Sequence, residues 1–211
     1  MQSLRAWFVG VALTIVAIVA VYIWLDRSIA SLVHGYIVPA HRAAFASLTR
    51  IPEFFIPIAV LMFLFVGFLV LTDRPLSKPY SAAFVCSVSL LFAEAIKNEL
   101  KFVFGRTWPE TWTNHNPSFI GDGVYGFNVF HAGSAYQSFP SGHMSAACAA
   151  MTVLWLYYPR WRGLYGILAV AVGVGLVGAN YHFLSDVIAG TFVGISTGAI
   201  ATAIWRARTD N

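Results

Sequence analysis

Apolar residues along this chain gather into runs too long for ordinary core helices, divided by short polar interruptions. The pattern predicts six membrane-crossing helices, at 7–25, 52–72, 80–104, 142–158, 163–182 and 185–205. Arg5 precedes the first run, Asp26 and Arg27 follow it, and Arg206 and Arg208 close the last. Residues 28–52 are only moderately apolar and are broken by His34, Pro39, His41, Arg42 and Arg50. That stretch reads as an amphipathic segment at the membrane surface, with a plain connecting loop as the alternative. A charged turn with two prolines, residues 73–79, joins the second and third runs. Residues 105–140 form the one long polar connection. Its aromatics, from Trp108 and Trp112 to Phe130 and Tyr136, speak for a folded cap at the membrane interface rather than disorder.

Composition agrees with the pattern. Of 211 residues 58% are hydrophobic and only 10% charged, well below the charge content of soluble domains. The expected fold class is an all-α, polytopic membrane helical bundle, forming a single domain over 1–211. The formal charge of +4 has scattered carriers, most of them beside apolar runs. They act as topology determinants, so nucleic-acid binding is not expected and the bilayer is the expected partner. Cys86 and Cys148 lie inside apolar runs and read as small packing residues. No small-residue cleavage pattern follows the first run, so an uncleaved span is expected.

Six spans put both termini on one side, together with Arg5, Arg74, Lys78, Arg160, Arg162, Arg206 and Arg208. The positive-inside rule makes that side cytoplasmic. The 28–52 segment, the 105–140 loop and the turn between the last two spans then share the outer side.

Three polar clusters converge there. In Phe139-Pro140-Ser141-Gly142-His143, Ser141 reads as the N-cap of the helix that follows. Outward-pointing N–H groups at such a helix start favour an anion, and His143 sets a titratable imidazole beside it. An ordinary capped helix with an interfacial histidine is the competing account. The second cluster is Lys97, Lys101 and Arg106, the lysines one helical turn apart on a shared face. Cations at a membrane edge point to function, although snorkelling or pairing with Glu94 and Glu99 would also occupy them. In the third cluster, Asn180 to Asp186, the four-residue spacing of His182 and Asp186 lets the carboxylate accept from imidazole Nδ1–H. That fixes the tautomer and leaves Nε2 as a free base.

Lysine, then Pro-Ser-Gly-His, then His-x3-Asp, in this order on a six-span frame, resembles the type 2 phosphatidic acid phosphatase (PAP2) superfamily. The resemblance covers roughly 80–195. Lys101 and Pro109 match the family's first motif, Ser141, Gly142 and His143 the second, and His182 and Asp186 the third. Two positions depart: Trp108 stands at the arginine of the first motif, and Gly175-Leu176 at the Ser-Arg of the third. Two expected phosphate-binding charges are therefore missing, with Arg106 the obvious substitute, Lys97 a second, and Asn180 a neutral donor.

The resemblance implies an integral membrane lipid phosphatase in which His182 attacks phosphorus, Asp186 orients it, and His143 protonates the leaving group. Lys101, Arg106, Lys97, Asn180, Ser141 and Gly142 would bind the phosphoryl group. No cofactor is expected, and no metal, since the carboxylates lack the clustering of a two-magnesium site. Phosphatidylglycerol phosphate, undecaprenyl pyrophosphate, phosphatidic acid and lipid A phosphates are all compatible substrates. The compact size and short turns suggest a bacterial inner-membrane protein, with the site on the periplasmic or extracytoplasmic face. A phosphotransferase would use the same phosphohistidine. A haem carrier with two histidine ligands and a transporter are the competing readings from other classes.

Overall fold

In a computed structural model, residues 2–72, 76–112 and 115–209 are described. The expected charged turn falls partly on Asp73, Arg74 and Pro75, which lie outside the described residues. Six long helices build an all-α bundle: α1 (Gln2–Trp24), α4 (Ile51–Leu71), α5 (Lys78–Phe104), α7 (Gly142–Tyr157), α8 (Arg162–Gly178) and α9 (Leu184–Thr209). Two shorter helices, α2 (Asp26–Leu32) and α3 (Val38–Thr49), lie between α1 and α4, and α6 (Phe119–Asp122) is a single turn in the cap.

Among the described residues, five segments are long and apolar enough to cross a membrane: 5–24, 26–71, 78–104, 159–178 and 184–209. Their lipid-facing flanks expose large apolar side chains such as Leu13, Val16, Leu61, Leu64, Ile167 and Ile204. The sixth long helix, α7, has 16 residues and is sheathed by α5, α8 and α9, with a continuous buried run from Met144 to Met151. Small residues make that possible. A Cβ on Gly194 of α9 would sit 2.4 Å from the Ser145 carbonyl oxygen, and one on Gly190 2.6 Å from that of Ser141. Backbones can approach so closely only where the side chain is absent.

The 26–49 segment is helical throughout and is not a plain loop. A π-helical turn (Val33–Ile37) separates α2 from α3, just before Pro39 in the first turn of α3. A wider turn there relieves the clash a proline ring makes with the carbonyl four residues back. α3 lies on α8, with the Phe45 ring against Gly178.

The fifth expected span ends early. α8 stops at Gly178, and Asn180 takes a left-handed conformation (φ 56°). Tyr181 N–H then donates to Leu176 O (2.9 Å) and Asn180 N–H to Val177 O (2.9 Å). This double bond pattern is a Schellman cap, with asparagine replacing the usual glycine. His182 consequently sits in the α8–α9 turn, outside both helices.

Candidate active site

The C-terminal ends of α5 and α8, the N-terminal ends of α4, α7 and α9, and the cap loop meet at one end of the bundle. They enclose a cavity of about 450 Å3. Its wall includes Lys97 and Lys101 from α5, Gly142 and His143 from α7, and His182 from the α8–α9 turn. Five residues expected from sequence to carry chemistry thus face one space.

Each is placed by local structure. Ser141 is the N-cap of α7, its Oγ accepting from Met144 N–H at 3.5 Å. Gly142 and His143 are therefore the first two residues of the helix, where backbone N–H groups have no carbonyl one turn back. Gly142 also admits Lys97: a Cβ there would lie 3.1 Å from both Lys97 Cδ and Nζ. The Lys97 ammonium in turn pairs with Glu94 at 2.9 Å. Lys101 is buried, donates to Gln137 O, and lies over the Trp108 ring at 5.5 Å. His143 Nε2 is 3.4 Å from Glu53 Oε1 at the start of α4, both groups half-open to solvent.

His182 is buried beneath Trp108, ring centroids 5.1 Å apart. Its Nδ1 lies 3.4 Å from Asp186 Oδ2, within ion-pair range but too long for a well-formed hydrogen bond. Such contacts often tighten only on substrate binding. Burial pushes the His182 pKa below its ordinary value, more than the Asp186 charge restores, so the imidazole is held neutral. Asp186 is fixed from several sides. Oδ2 accepts from Ser138 Oγ (2.6 Å) and from Phe183 N–H (3.0 Å), the latter being the reciprocal half of a capping box at the start of α9. Oδ1 accepts from Arg106 at 2.5 Å.

Three expected phosphate contacts do not reach the cavity. Arg106 is fully buried behind His182, its guanidinium bound to Asp186 and to Asp26 Oδ2 (2.8 Å) and packed on the Phe183 ring at 4.2 Å. Burial opposes its charge, but the two carboxylates outweigh that and hold its pKa above the ordinary value. It is bound to carboxylates within the protein and does not line the cavity. Asn180 points away as well, donating to Glu110 Oε1 (2.8 Å) and Ala30 O (3.1 Å). The Ser141 side chain is buried and used by the cap. At the two departures from the motifs, Trp108 and Leu176 both line the cavity and give it apolar wall where charge was expected.

Sequence reasoning also missed residues. Asp26 reads as the charge flanking the first span, yet it is buried and binds Arg106 and Ser185. Glu53 lines the cavity. Glu110 joins the cap loop to Asn180 and to His34 (2.9 Å). Only the presence of acids beside apolar runs hinted at any of them.

The fold and site define a membrane-spanning helical bundle that holds two histidines, two lysines and a helix N-terminus around one cavity. The chain belongs to the PAP2 superfamily, whose family model matches residues 82–210. Two relatives called lipid A 1-phosphatase, from Rhizobium johnstonii and Rhizobium etli, are each 32% identical over 120 residues. That stretch is 57% of this chain and 46% and 48% of theirs, so the chain matches about half the length of these curated relatives. The crystal structure of a transmembrane PAP2-type phosphatidylglycerolphosphate phosphatase from Bacillus subtilis superposes with a TM-score of 0.58 at 18% identity. It covers 97% of this chain and 96% of its own, and shows the shared fold.

Proposed function

We propose that the chain is a lipid phosphatase working through a phosphohistidine on His182. The observation that carries this reading is the single cavity facing His182, His143, Lys97, Lys101 and the start of α7. Asp186 sits on the Nδ1 side, leaving Nε2 as the nucleophile. Its lone pair attacks phosphorus, the P–O bond to the lipid breaks, and His143 gives its proton to the departing oxygen. Water, giving its proton to His143, then attacks phosphorus; a P–O bond forms as the P–N bond breaks, releasing inorganic phosphate and free His182. Lys101, Lys97 and the N–H groups of Gly142 and His143 hold the phosphoryl oxygens as charge redistributes. No step calls for a metal or cofactor.

The substrate is a membrane lipid phosphate. The named relatives favour a glycolipid phosphate of the lipid A type, and the aromatic and apolar wall of Trp108, Trp112, Tyr181 and Leu176 suits a bulky headgroup. Lys78, Arg160, Arg162, Arg206 and Arg208 lie at the far end of the bundle from the cavity. The positive-inside rule accordingly puts the site on the periplasmic face of a bacterial inner membrane.

The test is phosphate release in detergent from a panel of lipid mono- and pyrophosphates, with chelator present, for wild type and His182→Ala. Chelator-resistant release that disappears in the variant supports the reading. Release surviving in His182→Ala, or none from wild type on any lipid, would sink it.

A further inference from the structure

Asp26 closes a buried chain of charge that ends at the proposed nucleophile. Its Oδ2 accepts from Arg106 Nη2 at 2.8 Å, and Nη1 of the same guanidinium donates to Asp186 Oδ1 at 2.5 Å. Ser185 locks the three together: its N–H donates to Asp26 Oδ1 (3.0 Å), its hydroxyl to Asp26 Oδ2, and Arg106 Nη1 donates to that hydroxyl (2.6 Å). All of these side chains are sealed from solvent. Asp26 comes from α2, outside the 82–210 stretch matched by the family model.

The charge count gives this arrangement a consequence. Asp186 with Arg106 alone would be a neutral pair, offering little field to a neighbouring imidazole. A second carboxylate on the same guanidinium leaves the cluster with one net negative charge, in surroundings where charges act strongly. When Nε2 of His182 bonds to phosphorus the ring gains positive charge. The other charged or titratable groups near that ring, Lys101 and His143, oppose this.

We propose that Asp26 is a positioning residue which, through Arg106, keeps Asp186 negative enough to support His182 as it takes on the phosphoryl group. The proposal rests on the phosphohistidine reading for its effect on rate. Its effect on the His182–Asp186 contact does not depend on turnover.

Asp26→Asn keeps the shape and loses one charge, making the cluster neutral. Expected is a fall in kcat and in the rate of phosphohistidine formation of about tenfold, with KM unchanged. In 15N-histidine-labelled, substrate-free protein the His182 Nδ1–H proton resonance is expected to move upfield as its carboxylate partner weakens. Asp26→Glu keeps the charge and is expected to hold phosphohistidine formation within about threefold of wild type and the Nδ1–H resonance near its wild-type position, where a purely structural role would slow it as much as Asp26→Asn. Asp26→Ser, which also loses the charge, is read in the same way if Asp26→Asn does not fold. An unchanged rate and resonance in the variant that loses the charge, or an Asp26→Glu protein as slow as that variant, would overturn the proposal. Absence of phosphohistidine in wild type would instead count against the phosphatase reading, and the resonance shift would then decide the role of Asp26 alone.

Discussion

Two charged clusters stand on either side of His182, and they are built by opposite rules. On the cavity side, Lys97 and Glu94, and His143 and Glu53, form partly exposed pairs whose members can exchange partners. Behind the ring, Asp26, Arg106 and Asp186 are shut away from solvent, with Ser138 and Ser185 occupying further donor and acceptor sites. Exposed pairs contribute little to stability and are free to trade one anion for another. Buried pairs are costly to break, because the remaining charge has no water to turn to. The open cluster suits a phosphoryl group that arrives and leaves; the closed one suits a nucleophile that must not move.

Substitutions can break that contrast at several strengths. His182→Ala sits between the clusters and is expected to lower phosphate release by more than about 10³-fold while the protein stays folded. Lys101→Ala removes a cavity cation and should cost about 10²- to 10³-fold in kcat/KM. Arg106→Ala should act first on stability, since it strands two buried carboxylates at a cost of about 3–5 kcal/mol. Thermal unfolding in detergent separates the two: a Lys101 variant that melts early, or an Arg106 variant with wild-type Tm, would contradict the contrast. Ser141→Ala should cost about 1 kcal/mol through the lost cap, with only a modest kinetic effect. The smallest effect is expected from Glu94→Gln, which frees Lys97 and should lower KM about two- to fivefold, most clearly at low salt.

Acid sharpens the comparison further. The folded-state pKa of His182 lies below its ordinary 6.5, so between those two values the unfolded chain binds a proton that the folded chain does not. This group's contribution is therefore to make stability fall as pH drops below about 6.5, the loss ending at the lower, folded pKa. Relative to wild type, His182→Gln should show a shallower fall in Tm over that acid range.

How much of this was legible beforehand differs by feature. The apolar runs define the bundle because a bilayer demands about 20 apolar residues per crossing, a constraint local to each run. The Ser141 cap and the His182–Asp186 spacing were readable for a similar reason, as each depends on residues within one helical turn. The end of α8 was not, because an apolar run continues through a turn that Asn180 makes by taking a left-handed conformation. Nor was the fate of Arg106, which lies in sequence beside the motif lysine and in space behind the nucleophile. Whether a guanidinium meets a substrate phosphate or a protein carboxylate depends on what folding brings opposite it. Here that partner is Asp26, 80 residues away. By itself the sequence determined the membrane bundle, the family resemblance and the residues able to react. Only the tertiary structure decided which of those charges face the cavity and which are paired within the protein, since burial and pairing arise between segments distant along the chain.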